Sequence, residues 1–378
     1  MSAQEPPFTL GVEEEYLLVD NETMELAIDP PSAIIEECSK LSDGQVSPEL
    51  LRSQIEIGTS VCTNIQEARE ELTRLRRLVV EVANNYGYAP IAASTHPFGH
   101  WTRQKATARE RYSHLAMEMQ AAGRRLLTCG MHVHVGIDDD ELRNDLMSQA
   151  RYFLPHLLVL STSSPFWEGQ NTGLKSYRLT VFDALPRSGL PEEFDSFAEY
   201  QRHVDKLVSA GIIEDSTMVW WDMRPSGRYP TLETRIFDVC TSIDDAVAIA
   251  ALNVCVLRML FRLRQRNQRW RIYNRMLINE NRWRALRYGF DEGLLDLVKG
   301  KVVPFADLLE EIIELVAPDV IELGCEQEIA HLRRIMQRGT SAHRQIDIMD
   351  KELSEGASEQ ESLVAVVRFL VEETAANT

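Results

Sequence analysis

Residues Phe8 to Asp20 form an apolar, β-prone run, Phe8-Thr9-Leu10-Gly11-Val12-Glu13-Glu14-Glu15-Tyr16-Leu17-Leu18-Val19-Asp20, with three carboxylates at its centre. Successive side chains of a strand point to opposite faces. Glu13 and Glu15 therefore share one face, and Val12, Glu14 and Tyr16 share the other. Two carboxylates side by side on a strand are costly unless a cation or a proton separates them. Chains accept that cost mainly where metal ligands or acid–base groups are needed. Glu14, facing the other way, is expected to be solvent-facing or paired and to tolerate replacement by Gln.

Three more β-prone runs carry polar groups in the same manner. In Ser53-Gln54-Ile55-Glu56-Ile57-Gly58, Glu56 lies between two isoleucines that point the other way. In Gly130-Met131-His132-Val133-His134-Val135-Gly136, both imidazoles project from one face. In Thr231-Leu232-Glu233-Thr234-Arg235-Ile236-Phe237, Glu233 and Arg235 share a face. As sheet neighbours, the four runs would gather four carboxylates, two histidines and an arginine on one surface. Carboxylates with few imidazoles suit hard divalent cations, Mg²⁺ or Mn²⁺. Clustered cations beside an arginine suit polyphosphate chemistry. Neither a G-x-x-x-x-G-K-[ST] nor a G-x-G-x-x-G loop occurs, so any ATP would have to be held by the sheet and its cations. Taken singly, each piece has a plainer reading: H-x-H occurs as a structural pair, and Arg235 would neutralise Glu233. Their coincidence on four strands favours a site.

The pattern along the chain predicts strands at Ser53–Ser60, Tyr88–Ser94, Cys129–Ile137, Thr217–Arg224 and Thr231–Asp238. A helix with a buried stripe Ile65, Ala68, Leu72, Leu75, Val79, Val82 follows an Asn64/Glu67 capping box. Further helices are expected from about Thr107 to Gly123 and over Asp138–Leu160, the latter kinked at Pro155. Ser161–Gly173 reads as a loop, Pro225-Ser226-Gly227 as a turn, and everything after Ser242 as helix. The fold class expected is α+β: one domain with a mainly antiparallel sheet, sheet-rich over 8–240 and mostly helical over 242–375, its helices massed on one side.

A net charge of −18 argues against nonspecific nucleic-acid or anionic-membrane binding. The apolar stretch Ala246–Phe261 is short for a membrane span and is broken by Asn253 and Arg258, so it reads as a core helix. Six cysteines without a C-x-x-C pair suggest reduced thiols and a cytoplasmic setting. Ten arginines between Arg258 and Arg287, interleaved with Trp and Tyr, read chiefly as a salt-bridged helix face, with a few residues free to reach phosphate.

Several motifs, in order along residues 8–345, carry a resemblance. They are Phe8–Tyr16; Ser94-Thr95-His96-Pro97-Phe98; Gly130–Val135; Ser164-Pro165-Phe166-Trp167 with Ser176-Tyr177-Arg178 and Asp183; Asp222-Met223-Arg224-Pro225; Thr231–Arg235; and Asn281–Gly289. Together they resemble the YbdK-type carboxylate–amine ligases, the glutamate–cysteine ligase type 2 family. The resemblance implies a glutamine-synthetase-like fold with ATP and Mg²⁺ over a curved antiparallel sheet. It implies phosphorylation of the γ-carboxylate of glutamate, then attack by cysteine or another amine on the acyl phosphate. It implies Glu13, Glu15, Glu56, His132 and Glu233 as metal ligands, with Glu49 a looser match. His134 would lie by the nucleotide, Arg235 would face the transferring phosphate, and Arg287 would bind anion. A homodimer is a further expectation. His343 stands where relatives often carry an acidic residue. Loops 94–101 and 161–175 are candidates to close over the site. A nucleotide-independent metallohydrolase and a noncatalytic binding protein are the alternatives.

Overall fold

The computed structural model describes residues 5–107 and 119–378. A seven-stranded sheet comprises β1 (Leu10–Asp20), β2 (Val46–Pro48), β3 (Gln54–Gly58), β4 (Tyr88–Ile91), β5 (Met131–Gly136), β6 (Met223–Pro225) and β7 (Thr231–Thr234). The order is β6-β7-β5-β1-β3-β2, with β4 also paired to β1, and every pairing is antiparallel. β1 is the spine. It pairs with β3 over Glu13–Leu17, with β5 over Leu10–Glu14 and with β4 over Leu17–Asp20.

The alternation along β1 makes one face of the sheet apolar, and helices cover it. α2 (Ile65–Asn85, following α1 at Ser32–Leu41) buries the expected stripe Ile65, Ala68, Leu72, Leu75, Val79 and Val82. Asn64 caps it by accepting from the Glu67 amide, but the Glu67 carboxylate returns to the Thr63 amide. Among the later helices, the long α7 (Ile243–Gln265) is apolar all round. By length and composition it could cross a membrane, yet 83% of its apolar window is buried within the fold, as a core helix requires.

Glu14 takes the paired, not the solvent-facing, of its two expected states. It is fully buried on the helix side, where Arg76 of α2 grips both its oxygens at 2.7 and 2.8 Å and Tyr16 donates to it at 2.5 Å. Arg76 also donates to the Cys240 and Thr241 carbonyls. The carboxylate is paired, and neutralising it would leave the Arg76 guanidinium without its counter-ion in the core.

Other differences have local causes. The expected kinked helix is two: α3 (Asp140–Ala150) and α4 (Leu154–Ser161), with Pro155 in the first turn of the second, where its missing N–H is harmless. After α5 (Arg178–Phe182) comes α6 (Phe197–Ser209), which sequence reading passed over. The strand expected at Thr217–Arg224 starts as a 3-10 turn, Ser216–Met218, capped by Asp215, and is then interrupted at Asp222. There the amides of Arg235 and Ile236 both donate to the Asp222 carbonyl, two residues facing one, as in a bulge. The bulge ends β7 at Thr234, short of the expected Asp238. After Ser242 the chain is helical (α8 Arg275–Tyr288, α9 Phe305–Leu323, α10 Glu326–Arg338, α11 Ser341–Ser354, α12 Glu359–Ala375) except for the hairpin Leu294–Asp296/Lys301–Val303. The helix expected over Thr107–Gly123 falls largely outside the described residues. Many of the arginines from Arg258 onward are salt-bridged: Arg258 and Arg262 to Asp319, Arg264 and Arg269 to Asp145, Arg275 to Glu192.

Candidate active site on the polar face of the sheet

The strand register turns four sequence patterns into one surface. Glu13 lies opposite His132, Glu15 opposite Glu56, Glu233 opposite His134, and Arg224 opposite Glu233. Cross-strand partners share a face, so these side chains adjoin. His132 Nδ1 lies 3.1 Å from Glu13 Oε2, and His134 Nε2 lies 3.5 Å from Glu13 Oε1. Burial would push the Glu13 carboxyl up, but the two histidines outweigh it and hold the group well below the usual carboxylate range. Burial, aided by Arg235, lowers His132 to about 4, so it is neutral at pH 7. A neutral His132 donating Nδ1–H to Glu13 keeps a bare lone pair on Nε2, and that buried nitrogen has no partner.

Glu233 is held from both sides. Arg224 reaches it at 2.8 and 3.2 Å, and Arg235 donates to the same carboxylate. Burial opposes ionisation, but the two guanidiniums keep Glu233 far below the usual range. Glu233 and Arg235 lie two residues apart, so alternation along the chain puts both side chains on this face.

Glu15, Glu49 and Glu56 form a second acidic group. Glu15 is raised to about 7, first by burial and then by Glu49, against the pull of Arg178 and the Gly130 amide. Glu56 is raised further, by burial and by Glu13, Glu49 and Glu15. Ligand atoms of Glu13, His134 and Glu233 lie within 4.8 Å of one another, close enough to share one ion. The donor set is oxygen-rich with imidazole, as a hard divalent cation prefers. His132 and His134 each keep a buried Nε2 without a hydrogen-bond partner, so the residues fit such an ion.

With that geometry in hand, the comparisons are direct. The profile described as Glutamate-cysteine ligase family 2 (GCS2) matches residues 9–366. The chain belongs to this family. A Rhodospirillum rubrum protein named "Putative glutamate--cysteine ligase 2" is 59% identical, covering 99% of this chain and 97% of its own. A Jannaschia relative of the same name is 52% identical, covering 97% and 96%. Among solved structures, the chain is similar in fold to a Francisella tularensis glutamate–cysteine ligase in complex with AMP. The TM-score is 0.69 at 13% identity, with 100% of this chain and 90% of that one covered. The α+β class expected from sequence is thus the fold of this ligase.

The structure brings Glu13, Glu15, Glu49, Glu56, His132, His134, Glu233 and Arg235 together. It groups His134, not His132, with Glu13 and Glu233 around a single ion position, and the exposed ring of Tyr229 stands edge-on to His134 at 6.0 Å. Arg287 donates to the Gly173 carbonyl and lies over the Tyr288 ring. Most of the two candidate lid loops is anchored. Residues 94–97 and 161–167 are buried, and Asp238 binds Ser163, Ser164 and Ser176 at 2.8–2.9 Å. The tip around 168–173 and His100 of the other loop are open to solvent. His343 stacks on Phe290 and contacts Asp291 at 3.2 Å, at the edge of that loop. Arg224 and Arg178 were missed as site residues, although both stood in the motifs; neither an ion pair across strands nor a buried guanidinium is visible from spacing.

Proposed function

We propose that this protein is an ATP-dependent carboxylate–amine ligase that forms an amide at the γ-carboxylate of glutamate, with cysteine or another amine as acceptor. The observation that carries the reading is the gathering of Glu13, Glu15, Glu49, Glu56 and Glu233 at one sheet face, against Arg178, Arg224 and Arg235 among the described residues. That surplus would be costly without cations and suits a metal-bound nucleotide. The names of the relatives and the AMP in the Francisella ligase support the substrate pair and the nucleotide. The apolar cluster from Phe8 to Leu370 supports treating the chain as one ligase domain.

Mg²⁺ or Mn²⁺, held by Glu13, Glu233 and the histidines and by Glu15, Glu49 and Glu56, would neutralise phosphate charge when bound. Arg235, steadied by Glu233, would neutralise the transferring phosphoryl group. His134 and Tyr229 would border the nucleotide; Arg287 would act through the loop it holds. A γ-carboxylate oxygen attacks the γ-phosphorus of ATP and ADP leaves. The amine nitrogen then attacks the acyl carbon, its proton passes to solvent, and phosphate leaves as the amide forms. The protein supplies orientation and charge, not a nucleophile. Cys129, the thiol beside Glu15, is kept protonated by burial and by that carboxylate.

The test is an ADP-release screen over carboxylate and amine pairs with Mg²⁺ or Mn²⁺. Release should require both glutamate and an amine, and hydroxylamine should divert product to the γ-hydroxamate. If no pair raises ADP release above ATP alone, the reading fails.

A further inference from the structure

Arg178, in the first turn of α5, is only 2% exposed. Other arginines buried to a similar degree sit against carboxylates: Arg76 on Glu14, Arg224 on Glu233, Arg282 on Asp183 and Asp222. Among the described residues, Arg178 has no carboxylate within ion-pairing distance. Its Nη2 reaches the Arg235 carbonyl at 3.3 Å, and its Nη1 is buried without a partner. The acidic groups that act on it through space, Asp238, Glu15 and Asp222, are already bonded to other donors. Asp238 accepts from three serines, Glu15 from the Gly130 amide at 2.7 Å, and Asp222 from Arg282 at 2.7 and 3.0 Å. A desolvated guanidinium with an idle N–H is costly to keep.

Its position is specific. Met131 points to the core opposite Glu14, so Gly130 points with His132 to the polar face. A Cβ on Gly130 would lie 2.4 Å from Arg178 Nη2 and 2.9 Å from Cζ. The missing side chain of Gly130 is therefore the cradle in which the guanidinium rests. Along this face of β5 the order is Arg178 over Gly130, then His132, then His134 beside Tyr229. Gly130 and His132 are about 7 Å apart along the strand, the scale of a five-carbon dicarboxylate.

We infer that Arg178 receives the carboxylate of the amino-acid substrate that is not activated, the α-carboxylate when the substrate is glutamate. The assignment rests on the ligase reading above. With that end on Arg178, the other carboxylate falls over His132 and Arg235, and the nucleotide takes the Tyr229 end. A ligand would approach past Glu15, Glu49 and Glu56, each of which keeps partial solvent exposure.

The test compares wild type with Arg178→Gln and Arg178→Lys, using glutamate and 4-aminobutyrate, which lacks the α-carboxylate. Losing a charge-assisted bond should raise KM for glutamate about 10- to 100-fold in Arg178→Gln. KM for ATP should stay within about twofold. The preference for glutamate over 4-aminobutyrate should collapse, and Arg178→Lys should recover part of it. The unfolding midpoint of the free variant should hold or rise, since an unpaired buried charge is gone. An unchanged preference, or equal loss on both substrates with a lowered midpoint, would overturn the inference and make Arg178 a structural residue. Calorimetric titration of glutamate into both proteins, with and without Mg²⁺ and a non-hydrolysable ATP analogue, separates the two readings. Binding that depends on Arg178 without turnover sinks the ligase reading alone; turnover with an unchanged preference sinks only the Arg178 assignment; no binding to wild type overturns the assignment.

Discussion

The acidic group at Glu15 gives a prediction with a definite sign. Its carboxyl rises from 4.5 to about 7 in the folded protein, chiefly through burial and then Glu49. A carboxyl raised on folding binds its proton more tightly in the folded state. Its contribution is therefore fully present below about pH 4.5 and is lost as pH rises through 7. The interval corresponds to roughly 3 kcal/mol. Glu56 moves in the same direction. His96, His132 and His156, lowered to about 4 by burial, act the other way but below the ordinary histidine range, so the window from pH 6.5 to 8 is dominated by the carboxylates. The perturbation is Glu15→Gln, read by urea unfolding in EDTA. The variant should match wild type only near pH 4, lead it by about 1 kcal/mol at pH 5.5 and lead it by about 3 kcal/mol at pH 8. Millimolar Mg²⁺ or Mn²⁺ should stabilise wild type more at pH 8 than at pH 6 and should affect the variant less. A variant weaker than wild type at pH 8 without metal would refute the argument. So would an equal response of both proteins to metal.

Three other outcomes follow from packing. Glu14→Gln should cost about 3–5 kcal/mol by leaving Arg76 uncompensated in the core, and Arg76→Met added to it should recover most of the loss; urea midpoints of the single and double variants check this. Glu233→Gln should abolish amine-dependent ADP release and also lower stability by a few kcal/mol, because Arg224 and Arg235 lose their shared counter-ion. An assay with circular dichroism at matched temperatures distinguishes the two effects. Gly130→Ala should drive Arg178 from its cradle, costing about 1–3 kcal/mol and weakening glutamate binding like Arg178→Gln.

What could be read from sequence and what could not divide along a physical line. Period-two alternation assigns faces, so the common face of Glu13 and Glu15 and the face shared by His132 and His134 were legible. The order of strands around β1 depends on long-range pairing that no local pattern encodes. The grouping of His134 with Glu13 and Glu233 therefore needed the register. β-Propensity ran the last strand to Asp238 because the bulge at Asp222 is a backbone event, with two amides on one carbonyl. The partner of Glu14 was nearer to hand. Arg76 lies four residues after Leu72 and three before Val79, on the buried stripe of α2, and a charged residue there requires an opposite charge from the sheet beneath. Arg178 is the opposite case. Its distinguishing property is the absence of a carboxylate partner, and only the positions of Asp238, Asp222 and Glu15, each committed elsewhere, reveal it. In a site built by pairing charges, the guanidinium that the protein leaves idle is the one available to a ligand.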